Sequence, residues 1–162
     1  MYNALYIEDE KTPFVVYLLR ELERQGILCD FQYWSKAANS ARIDSRIDFR
    51  ELIRNLGLEA SDIATNYDLL ILDIMMPPEG MRGTCNGHLT GIVLHKKMLE
   101  ASPSIKELKT FFITNLTADN DPLSYYTTAN NYSKEVNAIL FSKDNAKVIA
   151  ETIAEEIRAT KS

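Results

Sequence analysis

The chain has 162 residues, 46% hydrophobic and 25% charged, with a formal net charge of −5 and a pI near 5.1. That length suits one domain, residues 1–162, with a sizeable core, and the apolar fraction excludes a disordered chain. An acidic balance with no Lys/Arg cluster argues against a nucleic-acid partner, which needs a basic patch, and MYNALYIEDE lacks the basic-then-apolar order of a signal peptide.

Residues 4–7 form a short apolar run that ends in Glu8, Asp9 and Glu10. Thr12 and Pro13 then open a helix as N-cap and first helical residue. Phe14, Leu18 and Leu22 fall at i, i+4 and i+8 with Val15 and Leu19 beside them, giving one apolar stripe, and Gly26 ends the helix. Ile27 to Trp34 reads as the second strand. Residues 35–66 begin polar and weakly periodic. FRELIRNLGL then puts Phe49, Leu52, Ile53 and Leu56 on one helical face, stopped by Gly57, and Leu58 to Asn66 reads as a further helical turn or two.

Leu69 to Leu72 run without a break into Asp73, followed by Ile74, Met75, Met76 and two prolines. A short apolar run bounded by turn residues fits a strand covered on both faces, as in a parallel sheet, and is too short for a membrane span. Residues 77–90 hold three of the six glycines and a Pro-Pro pair, hence a loop. Gly91 to Glu100 reads as a helix with Ile92, Val93 and Leu94 inward and Met98 a further candidate. Lys109 to Thr114 is the fourth strand, residues 122–134 a Tyr-rich helix after Asp121-Pro122, and Ala138 to Phe141 the fifth strand. Asp144 caps a last amphipathic helix with Val148, Ile149, Ile153 and Ile157 as its core face. Strands alternating with helices in this way predict an α/β fold with a parallel sheet and helices on both faces.

Cys29 and Cys85 have no metal spacing and read as reduced thiols of a cytoplasmic protein. His88 and His95 could share one helical stretch but lack acidic or Cys partners at zinc-ligand spacing.

The chemistry gathers at the carboxyl ends of the strands, where ligands of open α/β sheets bind. Strand one offers Glu8 and Asp9, strand three Asp73, strand four Thr114 and strand five Lys143. Carboxylates about 4 Å apart repel by roughly 4 kcal/mol at an effective dielectric of 20, and protonation or a hard, oxygen-seeking cation such as Mg²⁺ relieves them. Asp73 could then act as a nucleophile toward phosphorus, with Thr114 donating a hydrogen bond and Lys143 a positive charge to phosphoryl oxygens. Caps, surface acids and a lysine ion pair are the plainer reading of the same residues.

ALYIEDE and DLLILDIMMP closely resemble the first-strand and acceptor-strand motifs of the receiver domain of two-component response regulators, and FFIT and AILFSK resemble its later strands less closely. The resemblance spans essentially the whole chain. It implies a flavodoxin-like, doubly wound five-stranded sheet of order 2-1-3-4-5, not an enzyme beyond its own phosphorylation and dephosphorylation. It implies Asp73 as phospho-acceptor, Asp9 as direct Mg²⁺ ligand, Glu8 as a more distant one, and the backbone carbonyl of Met75 as a further ligand. Thr114 and Lys143 take the phosphoryl-contacting roles, and a histidine kinase or phosphotransfer protein is the implied donor.

The chain departs from the family at several points. Glu8 stands where Asp is commoner, Asn115 where a small residue is usual, Asp144 where proline follows the lysine, and Leu140 where an aromatic switch residue often sits. Thr117-Ala118 is a rival to Thr114; Phe111 to Ile113 directly before Thr114 favour the latter. Segments 35–66 and 77–90 are longer than in compact receivers, and no output domain is expected after the last helix. The 77–90 loop is expected beside the acceptor edge, with Gly83, Cys85, Gly87 and His88 in conformational roles. Output to a downstream protein is expected through the fourth helix with Tyr125, Tyr126 and Tyr132, the fifth strand and residues 144–160, where a homodimer could also form. A non-phosphorylated pseudo-receiver acting as an interaction module is the alternative. A phosphohydrolase of the haloacid-dehalogenase type is disfavoured, since Met75 stands where it needs a second Asp.

Overall fold

A computed structural model describes residues 1–44, 46–56, 63–119, 121 and 123–161, with Ile63 described by its backbone only. The central sheet contains β1 (Tyr2–Glu8), β2 (Ile27–Tyr33), β5 (Leu69–Asp73), β6 (Lys109–Thr114) and β7 (Ile139–Ser142). All neighbours are parallel, in the order β2-β1-β5-β6-β7. β3 (Arg42–Ile43) and β4 (Arg46–Ile47) form a separate antiparallel hairpin. The helices are α1 (Pro13–Arg24), α2 (Trp34–Ser40), α3 (Phe49–Asn55), α4 (Ile63–Asn66), α5 (Thr90–Ala101), α6 (Tyr125–Glu135) and α7 (Ala146–Lys161), with a 3₁₀ turn at Pro103–Glu107.

Strand side chains alternate between two cores because the pleat has period two. Leu5, Ile7, Leu70, Leu72 and Phe112 face one core, shared with Trp34, Leu52, Leu94 and Tyr132 of α2, α3, α5 and α6. Ala4, Tyr6, Leu69, Ile71, Phe111 and Ile113 face the other, shared with Val15, Leu18 and Leu22 of α1 and Ile149, Ile153 and Ile157 of α7. β5 is buried at all five residues, as expected of a strand covered on both faces. Among the described residues no helix is long and apolar enough to cross a membrane.

Several helix ends follow local chemistry. Thr12 Oγ1 accepts from Val15 N at 3.4 Å with Pro13 in the first turn, and Gly26, at φ +84°, closes the helix with its N–H on Glu23 O. Other boundaries differ from expectation. Trp34 opens α2 instead of ending β2, because its fully buried indole packs with the helical side and its Nε1–H donates to Pro77 O at 2.7 Å. Residues 35–66 carry more structure than their polar composition suggests, namely α2, the hairpin, α3 and α4. The Gly57 stop and the start of the 58–66 turn lie outside the described residues; α3 ends at Asn55 with Leu56 as its C-cap.

α5 buries Gly91 and His95 with Ile92, Leu94 and Met98, while Val93 is only half-buried. α6 starts at Tyr125, later than expected, with Asp121 Oδ2 accepting from Tyr126 N and Thr127 N; Pro122 lies outside the described residues. β7 is shifted by one residue to Ile139–Ser142. Asn145, not Asp144, caps α7 through Val148 N; Val148 faces solvent, opposite the buried arc in which Ala150 and Ala154 join the isoleucines.

Two close contacts fix α5 beside the end of β5. Gly91 N donates to Ile74 O at 2.9 Å, and a Cβ at Gly91 would stand 2.2 Å from Asp73 O. His95 Nδ1 lies 2.6 Å from Tyr132 Oη, tying α5 to α6 in the core.

Gly91→Ala forces the α5 N-terminus off the backbone of Asp73 and is expected to cost about 3 kcal/mol, read as a lower urea midpoint at unchanged slope. Gly26→Ala, with nothing within 4 Å but a positive φ, should cost only about 1 kcal/mol. Burial pushes His95 from 6.5 down to about 4. Its stabilising effect is therefore complete above the unfolded value and lost as pH falls from there, because the unfolded chain binds the proton first. Stability should drop by roughly 3 kcal/mol between pH 7 and 4, and the part due to this group should vanish in His95→Phe.

Candidate functional site

The carboxyl ends of β1, β5, β6 and β7 converge on one edge, and a cavity of about 490 Å³ opens there. Glu8, Asp9, Asp73, Met75 and Lys143 line it, joined by Asn115 and by Asn86, Gly87 and His88 from the 77–90 loop. Asp73 is the last residue of β5 and is 1% exposed; Glu8, the last of β1, is 2% exposed. Lys143 follows β7, and its Nζ stands 3.2 Å from Glu8 Oε2 and 3.1 Å from Asp73 Oδ1. One ammonium thus bridges two buried carboxylates from two different strands.

The rest of the polar capacity is taken up locally. Glu8 Oε1 accepts from Asp9 N at 3.0 Å and Glu10 N at 3.4 Å, which turns the chain sharply after β1. Asp9 is half-buried, and its Oδ1 accepts from Ser35 Oγ at 2.6 Å. Lys143 approaches Asp73 Oδ1 off the hydrogen-bonding angle, so that oxygen has no hydrogen-bond partner among the described residues. Tyr6 Oη, buried beneath the site, is likewise without one.

These positions set the ionisation. Burial, reinforced by the Glu8 charge and opposed by Lys143, holds the Asp73 carboxyl well above its ordinary range. For Lys143 burial pulls down, but Asp73 and Glu8 outweigh it and raise the net value. Burial, then Glu8 and Asp73, likewise raise the Tyr6 hydroxyl. A further cation entering the cavity would favour the ionised form of Asp73.

The edge gathers all the residues expected from sequence, though not in equal roles. Thr114 is buried at the end of β6; its Oγ1 accepts from Leu116 N at 3.2 Å and its carbonyl from Lys143 N, while the neighbouring Asn115 lines the cavity. The rival Thr117 is exposed on the loop beyond. The Lys143–Asp144 peptide is trans.

For Mg²⁺ the donor set fits in kind: Glu8, Asp9, Asp73 and Met75 supply oxygen around one cavity, and Asp73 Oδ1, ion-paired with Lys143, accepts no hydrogen bond among the described residues. Among the described residues no three carboxylate, His or Cys side chains converge as a ready-made metal cluster, since Lys143 occupies the gap between Glu8 and Asp73.

Ser35 and the loop residue Asn86 escaped the sequence reading, which placed His88 in a loop beside this edge in a conformational role only. Ser35 stands just past the end of β2, so extending the strand-end rule to that edge strand would have found it. His88 stands in the loop beside the edge, as the loop's departure from the Asp73 strand end led one to expect, and not on a shared helix with His95. A scan against family models finds no match to this chain, and a search of curated proteins finds none.

Ionising Asp73 works against folding, so its contribution runs opposite to that of an ordinary salt-bridged acid. A raised carboxyl value gives relative stability below the unfolded value near 3.8, lost as pH rises toward the folded one. Asp73→Asn should therefore unfold at higher urea concentration than wild type at pH 7, with the advantage shrinking as pH approaches 4. A variant less stable at pH 7 would mean that the Lys143 ion pair outweighs burial.

Proposed function

We propose that this chain is a phospho-receiver with a flavodoxin-like, doubly wound fold. It takes a phosphoryl group on Asp73 from a histidine kinase or phosphotransfer protein in the cytoplasm, and signals by protein contact. The observation that carries this reading is a nearly inaccessible aspartate at the end of the most buried strand. It is paired with a lysine and shares one cavity with three further acids, Glu8, Asp9 and Glu10. A sheet order that reads 2-1-3-4-5 over the five central strands supports the fold assignment.

A carboxylate oxygen of Asp73 forms a bond to phosphorus as the bond from phosphorus to the donor atom breaks, and the donor leaves with the electron pair. Lys143, already 3.1 Å from Asp73 Oδ1, meets the phosphoryl oxygens without a large move. The Thr114 hydroxyl accepts from Leu116 N and keeps its own proton to donate. Asp9, Asp73 and the Met75 carbonyl would hold Mg²⁺, with Glu8 behind them, and the ion would supply charge neutralisation for the transferring group. Ser35 holds Asp9 in place.

The second reading is an interaction module without phosphorylation. The bridging of Glu8 and Asp73 by Lys143 favours it, because that bridge already satisfies much of the charge an incoming cation would.

Incubation with acetyl phosphate and Mg²⁺ separates the two. The intact mass should rise by one phosphoryl group in wild type, fail to rise in Asp73→Asn, and lose its Mg²⁺ dependence together with most of its rate in Asp9→Ala. An Asp73→Asn protein labelled at the wild-type rate refutes the acceptor assignment, and a wild type that never gains mass favours the interaction module.

A further inference from the structure

The 77–90 loop is held closely against the acceptor edge. Trp34 Nε1–H donates to Pro77 O, Thr90 Oγ1–H donates to Met76 O at 2.6 Å, and Leu89 N–H donates to Thr84 O at 2.8 Å. Its turn runs through three consecutive positive φ values, Cys85 at 51°, Asn86 at 57° and Gly87 at 94°. A Cβ at Gly87 would lie 3.0 Å from Met76 O, so the turn packs directly on the segment that leaves Asp73. Left-handed non-glycine residues in sequence are uncommon and concentrate where a side chain must be aimed.

The side chain aimed by this turn is His88. Its ring stacks on Tyr125 at 4.5 Å between centroids and 26° between planes, and its Nδ1 lies 2.9 Å from Cys85 O. A carbonyl can only accept, so Nδ1 carries the proton and Nε2 of the neutral ring carries a lone pair. The ring is thus fixed in place and in tautomer on the wall of the cavity that contains Asp73.

We propose that His88 is the general base for hydrolysis of the phosphorylated Asp73 and so sets the lifetime of the signal. This rests on the reading of Asp73 as phospho-acceptor. Water attacks phosphorus while passing a proton to His88 Nε2. The bond from phosphorus to the Asp73 oxygen breaks, its electron pair returning to the carboxylate, and inorganic phosphate leaves. The imidazolium then gives its proton to solvent. The charged groups sharing the cavity with His88 are Glu8, Asp9, Glu10, Asp73 and Lys143, while its direct partners are Cys85 on its own loop and Tyr125 on α6.

The full chain is labelled with acetyl phosphate and Mg²⁺, freed of donor, and followed by intact mass. His88→Phe keeps an aromatic ring to stack on Tyr125 but has no nitrogen, and should lengthen the lifetime by about a hundredfold. In wild type the hydrolysis rate should fall on acidification, and this dependence should be missing from His88→Phe. Added imidazole should shorten the lifetime of phosphorylated His88→Gly. Nitrogen-15 spectra of the unphosphorylated protein should show the Nδ1–H tautomer. Equal decay of wild type and His88→Phe with the same pH dependence, or an Nε2–H tautomer, overturns the role of His88 while leaving the acceptor assignment intact. Failure of wild type to take any phosphoryl group overturns both.

Discussion

The ammonium of Lys143 between Glu8 and Asp73 is the contact on which this edge of the sheet depends. At about 3 Å each ion pair gives roughly 5 kcal/mol of gross attraction at an effective dielectric of 20, against a desolvation cost of several kcal/mol per buried ion. The balance is narrow, and it joins three strands: β1 carries Glu8, β5 Asp73, and β7 delivers Lys143, whose own N–H is held by Thr114 O at the end of β6. Two buried acids share one cation, which leaves Asp73 with a raised carboxyl value and an oxygen lacking a hydrogen bond. One positive charge against two buried carboxylates leaves this edge of the sheet acidic, which is the electrostatic ground for the proposed phosphoryl site.

Around this centre the two long segments act as one wall. α2 begins with Trp34, whose indole reaches Pro77, and Arg42 of the hairpin pairs with Glu79 at 2.6 Å. The ion pair is partly exposed and contributes little by itself; the buried indole and its hydrogen bond give the firmer link. Ser35, one residue after Trp34, holds Asp9, so the docking of α2 also orients an acid of the site. The loop continues to Gly87, His88 and Thr90, and then to Gly91, which touches the backbone of Asp73 itself. Packing in these segments is therefore mechanically continuous with the site, and the His88–Tyr125 stack extends that continuity to α6.

The output face anticipated from sequence has mixed character. Tyr132 is mostly committed to the core through His95 and Phe112, and Tyr125 to His88, which leaves less free aromatic surface than the sequence suggested. Leu123 and Val148 are exposed instead. Leu140 is half-buried against the α6 side while Phe141 stacks on Phe111 on the other face, as the pleat requires of adjacent residues.

The sequence by itself determined the alternation of strands and helices, the doubly covered β5, and the placing of Glu8, Asp9, Asp73, Thr114 and Lys143 at strand ends. These follow from local rules: an unbroken apolar run, a Thr-Pro helix start, and the fact that parallel strands present their last residues at one edge. Asn145 displaced Asp144 as cap, a choice between adjacent N-cap side chains that composition does not resolve, and Val148 faces outward because at about 100° per residue it lies opposite the arc of Ile149, Ala150, Ile153, Ala154 and Ile157. The structure within 35–66 was obscured because short elements gain stability from packing, here around Trp34, and not from their own periodicity. Tertiary structure alone decided that one lysine serves two carboxylates, that Ser35 holds Asp9, and that His88 stacks on Tyr125. Those contacts join residues from 26 to 135 positions apart, and local pattern does not say which side chains will meet.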